Sequence, residues 1–422
     1  MDKYDVVIIG GGSAGLAAAL EINKNTKSKI LLLERDAELG GILLQCIHNG
    51  FGLKVFKEEL TGPEYAERFV DELNEKGIEY KLNSMVIKLH PDKRIEYVNV
   101  EEGFVTIQAK AVILTMGCYE RSSGSIGIPG NRPSGVMTAG TAQKYLNIDG
   151  YLVGKRVFIL GSGDIGLIMA RRLVLEGANV LGVAEVLPFS GGLKRNIVQC
   201  LDDYDIPLYL SHTVTEIIGK NKIEKIILSE VKDFVPIPGT EKEFIVDALL
   251  LSIGLIPENG LSEDCGIILD PKTKGAIVNE SYQTNIDGIF ACGNVLHVHD
   301  LVDFVTEESR RAGRAVVKYL TNNLDTIEDS IDIIPGEGIS YIVPQKINPK
   351  NITDKIELFL RVKKEYQDVV FEVKSGEKVI KTIKKRHLAP AEMEQVVLSS
   401  KLLETLNIKD SISVEVIQWR NS

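Results

Sequence analysis

A complete nucleotide-binding pattern occurs twice in this chain. The apolar run Asp5-Val6-Val7-Ile8-Ile9 leads into Gly10-Gly11-Gly12-Ser13-Ala14-Gly15, an Ala-rich helical stretch from Leu16 to Ile22, and Ile30-Leu31-Leu32-Leu33 ending at Glu34. Further on, Arg156–Leu160 leads into Gly161-Ser162-Gly163-Asp164-Ile165-Gly166, a helical pattern to Glu176, and a run from Val180 to Ala184 ending at Glu185. In each copy the acidic residue follows the first glycine by 24 positions, from Gly10 to Glu34 and from Gly161 to Glu185. Continuous apolar runs bounded by glycine read as strands buried on both faces of a parallel sheet. Repetition of the whole strand–turn–helix–strand unit constrains the fold far more than one glycine loop does. The fold class is α/β, with two Rossmann-like dinucleotide-binding domains.

The spacing carries a chemical reading. Gly10 and Gly161 allow the tight turn, Gly12 and Gly163 let a pyrophosphate approach the backbone, and Gly15 and Gly166 let the helix pack close to the strand. The phosphates then meet the free N–H groups and positive dipole of a helix N-terminus. Glu34 and Glu185 are placed to accept hydrogen bonds from ribose hydroxyls. A carboxylate at Glu185 repels a 2′-phosphate and so favours NADH over NADPH. Lys194 and Arg195 lie near enough in sequence to keep NADPH as the second choice.

Between and after these units the pattern is coarser. Pro63 opens a helix with Ala66, Phe69, Val70 and Leu73 on one face. Two strand patterns follow, then Ala111 to Gly117. The Gly- and Pro-rich stretch from Ser122 to Gly140 reads as a crossover between domains. Ile289-Phe290-Ala291-Cys292-Gly293-Asn294 is a further strand ending in glycine, with a helical pattern from Phe304 to Leu320. From about Glu328 the chain turns to period-two segments at 356–362, 369–373 and 412–416, as in a small β-sandwich of roughly 90 residues.

Composition removes several function classes. The net charge of -10 argues against non-specific nucleic-acid binding, which rests on Lys/Arg–phosphate contacts. No apolar run approaches the ~20 residues of a membrane span. The start at Met1-Asp2-Lys3 enters a strand directly, without the pattern of a signal peptide. Cys46, Cys118, Cys200, Cys265 and Cys292 are scattered and no pair is spaced CxxC, so neither a zinc knuckle nor a dithiol motif is expected. A reducing cytoplasm is the expected location.

The two units, together with Thr115-Met116-Gly117, Leu251-Ser252-Ile253-Gly254-Leu255-Ile256-Pro257 and the late Gly293-Asn294, resemble the pyridine nucleotide–disulfide oxidoreductase superfamily over about Lys3 to Leu320. The resemblance implies FAD in the first unit, a nicotinamide cofactor in the second, and nested three-layer ββα domains. It divides the chain into residues 1–118 and 283–327 (FAD domain), 119–282 (nicotinamide domain) and 328–422 (β-sandwich-like domain). The FAD set it implies is Gly10, Gly12, Ser13, Ala14, Gly15, Glu34, Arg35, Gly41, Ile42, Gln45, Val86, Thr115, Met116, Gly117, Arg121, Gly293 and Asn294. The nicotinamide set is Gly161, Gly163, Asp164, Ile165, Gly166, Glu185 and Gly254. Asn294 departs from the usual aspartate on the ribityl chain, although an amide still bonds a hydroxyl.

More narrowly, the stretches 39–48, 60–66, 128–133, 137–140 and 293–300 resemble the flavoproteins encoded with glycerol-3-phosphate dehydrogenase in anaerobes, which are similar to the FAD/NAD subunits of amine, proline and sarcosine-type dehydrogenases. That resemblance implies a partner dehydrogenase or electron carrier. It also implies no iron–sulfur cluster here, since no cysteine follows Cys292.

Cys46 falls roughly where the superfamily keeps a redox thiol, with His48 close enough in sequence to assist it. The competing reading is a packed, inert cysteine. His297 and His299 project to one side of an extended stretch. Metal ligation needs a third partner, and the sequence nominates none, so no metal site is expected. Three functions stay open: NADH-linked exchange of electrons between FAD and a partner dehydrogenase or carrier, a single-cysteine thiol, disulfide or peroxide reductase using Cys46, and a flavin-binding redox sensor or scaffold. The chain also allows a homo-oligomer.

Overall fold

The computed structural model describes residues 1–321, 330–405 and 410–419. They form two compact units, Met1–Cys118 with Pro257–Ser422, and Tyr119–Ile256.

The first unit opens with strand β1 (Asp2–Ile9), helix α1 (Ser13–Asn25) and strand β2 (Ile30–Leu33). Val6, Val7, Ile8 and all of β2 are buried, as strands covered on both faces must be. Helix α2 (Gly62–Glu75) begins with a capping box: Glu64 N–H donates to Thr61 Oγ1 and Thr61 N–H to the Glu64 carboxylate, with Pro63 in the first turn. Its inner face buries Tyr65, Ala66, Phe69 and Leu73. Strand β3 (Glu79–Lys81) follows, then an antiparallel meander of β4 (Ser84–Leu89), β5 (Arg94–Asn99) and β6 (Gly103–Leu114). The sheet order is β3-β2-β1-β6-β5-β4. The end of β6 runs parallel to β1, from Val6↔Ala111 to Ile9↔Leu114, while its start pairs antiparallel with β5.

The second unit contains β7 (Val136–Thr138), α3 (Ala139–Asn147), β8 (Arg156–Leu160), α4 (Asp164–Leu175), β9 (Asn179–Glu185), α5 (Lys194–Cys200), β10 (Leu208–Leu210), β11 (His212–Ile218), β12 (Lys225–Lys232), β13 (Lys242–Ile245) and β14 (Ala248–Leu251). Its parallel sheet is ordered β7-β14-β8-β9-β10. Residues of β8 alternate between two cores. Val157 and Ile159 pack with Leu167, Ala170 and Leu173 of α4. Phe158 and Leu160 pack with Val214, Ile226 and Leu228 of the antiparallel layer. This period-two division places helices on one face and a second β layer on the other, the three-layer arrangement expected. The stretch from Ser122 to Gly140, read as a crossover, instead contributes the edge strand β7, paired to β14 from Val136↔Leu249 to Thr138↔Leu251, and the buried Ile128.

The unit also ends earlier than residue 282. Cys265, Ile267, Ala276, Val278 and Tyr282 lie in one core with Val6 and Leu31, so the chain from Pro257 onward belongs to the first unit. There β15 (Ile289–Ala291) returns to pair parallel with β6, and α6 (Val302–Leu320) packs on α1. The expected boundary at 327/328 lies outside the described residues. The tail strands are β16 (Ile331–Pro335), β17 (Ile339–Val343), β18 (Lys346–Ile347), β19 (Lys355–Val362), β20 (Tyr366–Ser375), β21 (Lys378–Leu388), β22 (Glu394–Ser399) and β23 (Ile412–Gln418). They form sheets ordered β18-β16-β23-β20-β21 and β17-β19-β22 around a core including Leu358, Leu360, Phe371, Val373, Leu398 and Val414. Among the described residues no helix is long and apolar enough to cross a membrane.

Candidate functional site

The first glycine turn is shaped by what a side chain would strike. Gly10 has φ +110, and a Cβ there would lie 2.5 Å from Thr115 O; one on Gly15 would lie 1.9 Å from Gly10 O. Thr115 backs the turn, its Oγ1 donating to Ile9 O at 2.8 Å and Gly10 O at 2.9 Å. A Cβ on Gly12, by contrast, meets nothing within 4 Å. Gly12 therefore fronts an open cradle at the start of α1, whose N-cap makes no side-chain hydrogen bond. Ser13 and Ala14 form the first turn of that helix. Gly41 approaches from the other side, a Cβ on it lying 3.2 Å from Gly12 Cα, and opens the short 3-10 turn Gly41–Gln45 that carries the exposed Ile42.

Glu34 is buried at the end of β2. Its Oε2 accepts Gly11 N–H at 2.6 Å and its Oε1 accepts Asp36 N–H at 2.8 Å, leaving further lone pairs for hydroxyls. Arg35 beside it is exposed. Val86 is buried, its side chain in the core, so β4 offers backbone there. Met116 is packed against the same core, and Gly117 follows with φ +76. Gly293 closes the cradle: a Cβ on it would lie 2.8 Å from Ala14 Cβ. Its N–H donates to Glu308 Oε1 at 2.7 Å, so Gly293 supplies close approach rather than a donor. Asn294 Oδ1 accepts His299 N–H at 3.0 Å and its Nδ2 faces Cys118 Sγ at 3.7 Å. Arg121 belongs to the second unit, where its N–H donates to Gly254 O at 3.1 Å.

The second turn repeats the logic with one difference. A Cβ on Gly161 would lie 2.1 Å from Ser252 O, and one on Gly166 2.7 Å from Ser252 Cβ. Gly254 has φ +105. Glu185 Oε2 accepts Ser162 N–H at 3.0 Å and the Ser162 hydroxyl at 2.7 Å, and Oε1 accepts Leu187 N–H at 3.0 Å. Here the chain's own loop lies across the turn. Gly191 N–H donates to Ser162 Oγ at 2.8 Å, and Asp164 Oδ1 accepts Leu193 N–H at 2.8 Å and Asn196 Nδ2 at 2.7 Å. Ile165 faces inward against the helix-side core.

Cys46 Sγ donates to Ile42 O at 3.3 Å, and burial of the sulfur pushes the thiol up to about 12 although the residue as a whole is only half-buried. His48 Nδ1 lies 3.0 Å from Asn49 O, and its ring packs on Phe51.

The sequence reading missed Glu308 and Asp303. Asp303, in the first turn of α6, accepts Gly52, Lys54 and Val55 N–H groups, at 3.3, 3.3 and 2.8 Å, and so fixes the 52–55 loop. Glu308 supplies the third partner that His297 and His299 lacked in the sequence. Burial alone raises its carboxyl, but His299 and His297 outweigh that and hold it well below the usual carboxylate range. Its signal was present: Glu308 falls on the stripe Val305, Ala312, Val316 that faces the core, an anomalous place for a solvated charge.

Residues 4–317 match the family described as pyridine nucleotide-disulphide oxidoreductase. A thioredoxin reductase of Bacillus subtilis (strain 168) is 28% identical over 303 residues, spanning 69% of this chain and 86% of that protein. The crystal structure of T. acidophilum thioredoxin reductase superposes with a TM-score of 0.62 at 23% identity, covering 75% of this chain and 99% of that one. That of L-proline dehydrogenase from P. horikoshii gives 0.54 at 20% identity, over 77% and 56%.

Proposed function

The chain belongs to the pyridine nucleotide-disulphide oxidoreductase family, as a FAD-dependent NAD(P)H oxidoreductase, and from that premise we propose that it exchanges electrons between NADH and a partner dehydrogenase or carrier, not a disulfide. The partner that the sequence resemblance suggests is glycerol-3-phosphate dehydrogenase, and the cytoplasm is the proposed compartment.

The observation that carries this reading is the state of Cys46. Two of the similar proteins are named thioredoxin reductases, and reduction of a disulfide needs a thiolate to attack sulfur. Burial pushes the Cys46 thiol up to about 12, which favours its protonated form over the thiolate. Bound flavin supplies a hydride acceptor of its own. The chain's part would be to hold it: the Gly12 cradle and the first turn of α1 would face the pyrophosphate, Glu34 would offer lone pairs to the ribose, and Asn294 would bond the ribityl chain. In the second unit Glu185 accepts from a ribose diol but repels a 2′-phosphate, and a lost charge-assisted bond costs about 1.5–3 kcal/mol. NADH is therefore the proposed donor.

Rapid mixing of the yellow protein with each nucleotide, followed by oxidation with a dye or with small disulfides, tests this. The expected result is faster flavin bleaching by NADH than by NADPH, and reoxidation by the dye alone. Turnover with disulfides at the rate seen with dye would overturn the reading.

A further inference from the structure

His297, His299 and Glu308 form a buried cluster that neither dinucleotide requires. Their side chains are 1%, 0% and 0% exposed. Each offers one ligand atom, and these atoms all lie within 4.8 Å of one another. His297 Nε2 is 2.8 Å from Glu308 Oε2, and His299 Nε2 is 3.2 Å from Glu308 Oε1. The second contact is off the line of a hydrogen bond, and His299 Nε2 and both Nδ1 atoms have no hydrogen-bond partner among the described residues.

Plain His–Glu ion pairing gives the first contact a hydrogen bond and leaves the second without one. It leaves His299 Nε2, the atom that faces Glu308, buried without a hydrogen bond, at about 1–3 kcal/mol for such a group. Two imidazoles and a carboxylate turned on one another are, instead, the donor set of a divalent transition metal. Metal–nitrogen and metal–oxygen bonds of about 2.0–2.2 Å, set about 90–109° apart, put neighbouring ligand atoms about 2.8–3.6 Å from each other. The observed 2.8 and 3.2 Å separations already have that spacing, and the two imidazole ligand atoms, within 4.8 Å of each other, would close toward it on binding.

We propose that His297, His299 and Glu308 bind one divalent transition-metal ion of the zinc or ferrous class. Three protein ligands leave a position for water. The ion joins the segment after Gly293 to α6, because two ligands come from that segment and one from the helix. Phe359 of β19 covers the site, 5.8 and 6.0 Å from the two imidazole rings. Through the 2.7 Å bond from Gly293 N–H to Glu308, the ion also steadies the glycine that closes the flavin cradle.

The test uses the full flavin-loaded chain, produced in medium supplied equally with zinc, iron, manganese and nickel. Elemental analysis should find about one equivalent of metal per FAD, and the metal found separates zinc from iron. Chelator-treated protein should lose that equivalent and melt several degrees lower. Zinc chloride should restore both. His297→Ala and His299→Ala should each hold less than a tenth of an equivalent, while His387→Ala, on the exposed face of β21, should match wild type. If the single variants do not fold, the wild-type stoichiometry and thermal shift still decide. Less than a tenth of an equivalent in wild type, both as isolated and after incubation with zinc, overturns the proposal. Metal retained equally in both histidine variants does the same.

Discussion

Gly12 and Gly15 sit in one turn, yet a side chain does opposite things at each. A Cβ on Gly15 meets Gly10 O at 1.9 Å, so Gly15→Val should fail to fold. A Cβ on Gly12 meets nothing within 4 Å and its backbone is extended, so Gly12→Val should fold normally and fill the cradle. The expected result is a colourless protein with wild-type circular dichroism; full flavin absorbance in that variant would misplace the FAD. Cys46 gives a second expectation. Its thiol pKa is raised by burial, so the stability it lends is present below the ordinary cysteine value and is lost as pH rises toward about 12. At pH 8 it should alkylate far more slowly than an exposed thiol, and Cys46→Ser should lower NADH-to-dye turnover by less than about tenfold, ~1.4 kcal/mol in the barrier. A loss of several hundredfold with flavin retained would put Cys46 in the electron path. At this scale the sequence spoke clearly where chemistry demands a fixed spacing, as for Gly10 and Glu34. For Glu308 it offered only an anomalous charge on the core-facing stripe of α6, because its role depends on two histidines brought to it by the fold.

Whole units were legible because strand and helix periods are local properties. The helix expected from Phe304 to Leu320 spans Val302–Leu320, and the tail runs at 356–362 and 412–416 are β19 and β23. Strand β7 was not legible. Three residues in a Gly- and Pro-rich stretch become a strand only by pairing with β14, far along the chain, and no local pattern reports such a partner. The loop across the second glycine turn is likewise a product of tertiary contacts. It covers Ser162 and the start of α4, and Asn196 Nδ2 helps to hold it through Asp164. A nucleotide that competes with this closed loop binds with reduced apparent affinity. Asn196→Ala removes one hydrogen bond to a carboxylate, about 1.5 kcal/mol. The KM for NADH should then fall by up to about tenfold, with little change in kcat. A raised KM would mean that Asn196 holds the loop in its nucleotide-binding form.

The tail reads in sequence as a small β-sandwich of its own, and in the structure it shares a unit with the segments that carry the first glycine turn. Its attachment is polar and partly buried. Arg361 of β19 donates to Asp300, Val298 O, Pro390 O, Ala391 O and Tyr341 Oη, with side-chain exposures of 17% for Arg361 and 14% for Asp300. Arg311 of α6 pairs with Glu357 of the same strand, and Val343 of β17 enters the core that holds Val6. Period-two patterning announces strands but cannot say which charged residues will be buried against another segment. Removing one member of a partly buried pair leaves the other uncompensated, at a cost between the ~1 kcal/mol of an exposed pair and the ~3–5 kcal/mol of a fully buried one. Arg361→Leu should therefore lower Tm and, because Asp300 lies on the stretch that follows Gly293 and Asn294, release FAD in the same transition. Asp300→Leu combined with Arg361→Leu should recover part of the loss, since no charge is then left unpaired. The measurement is flavin fluorescence alongside far-ultraviolet circular dichroism during heating. Coincident midpoints in wild type and both variants are expected from one cooperative unit. A tail that melts first, with flavin still bound, would make it a separable module.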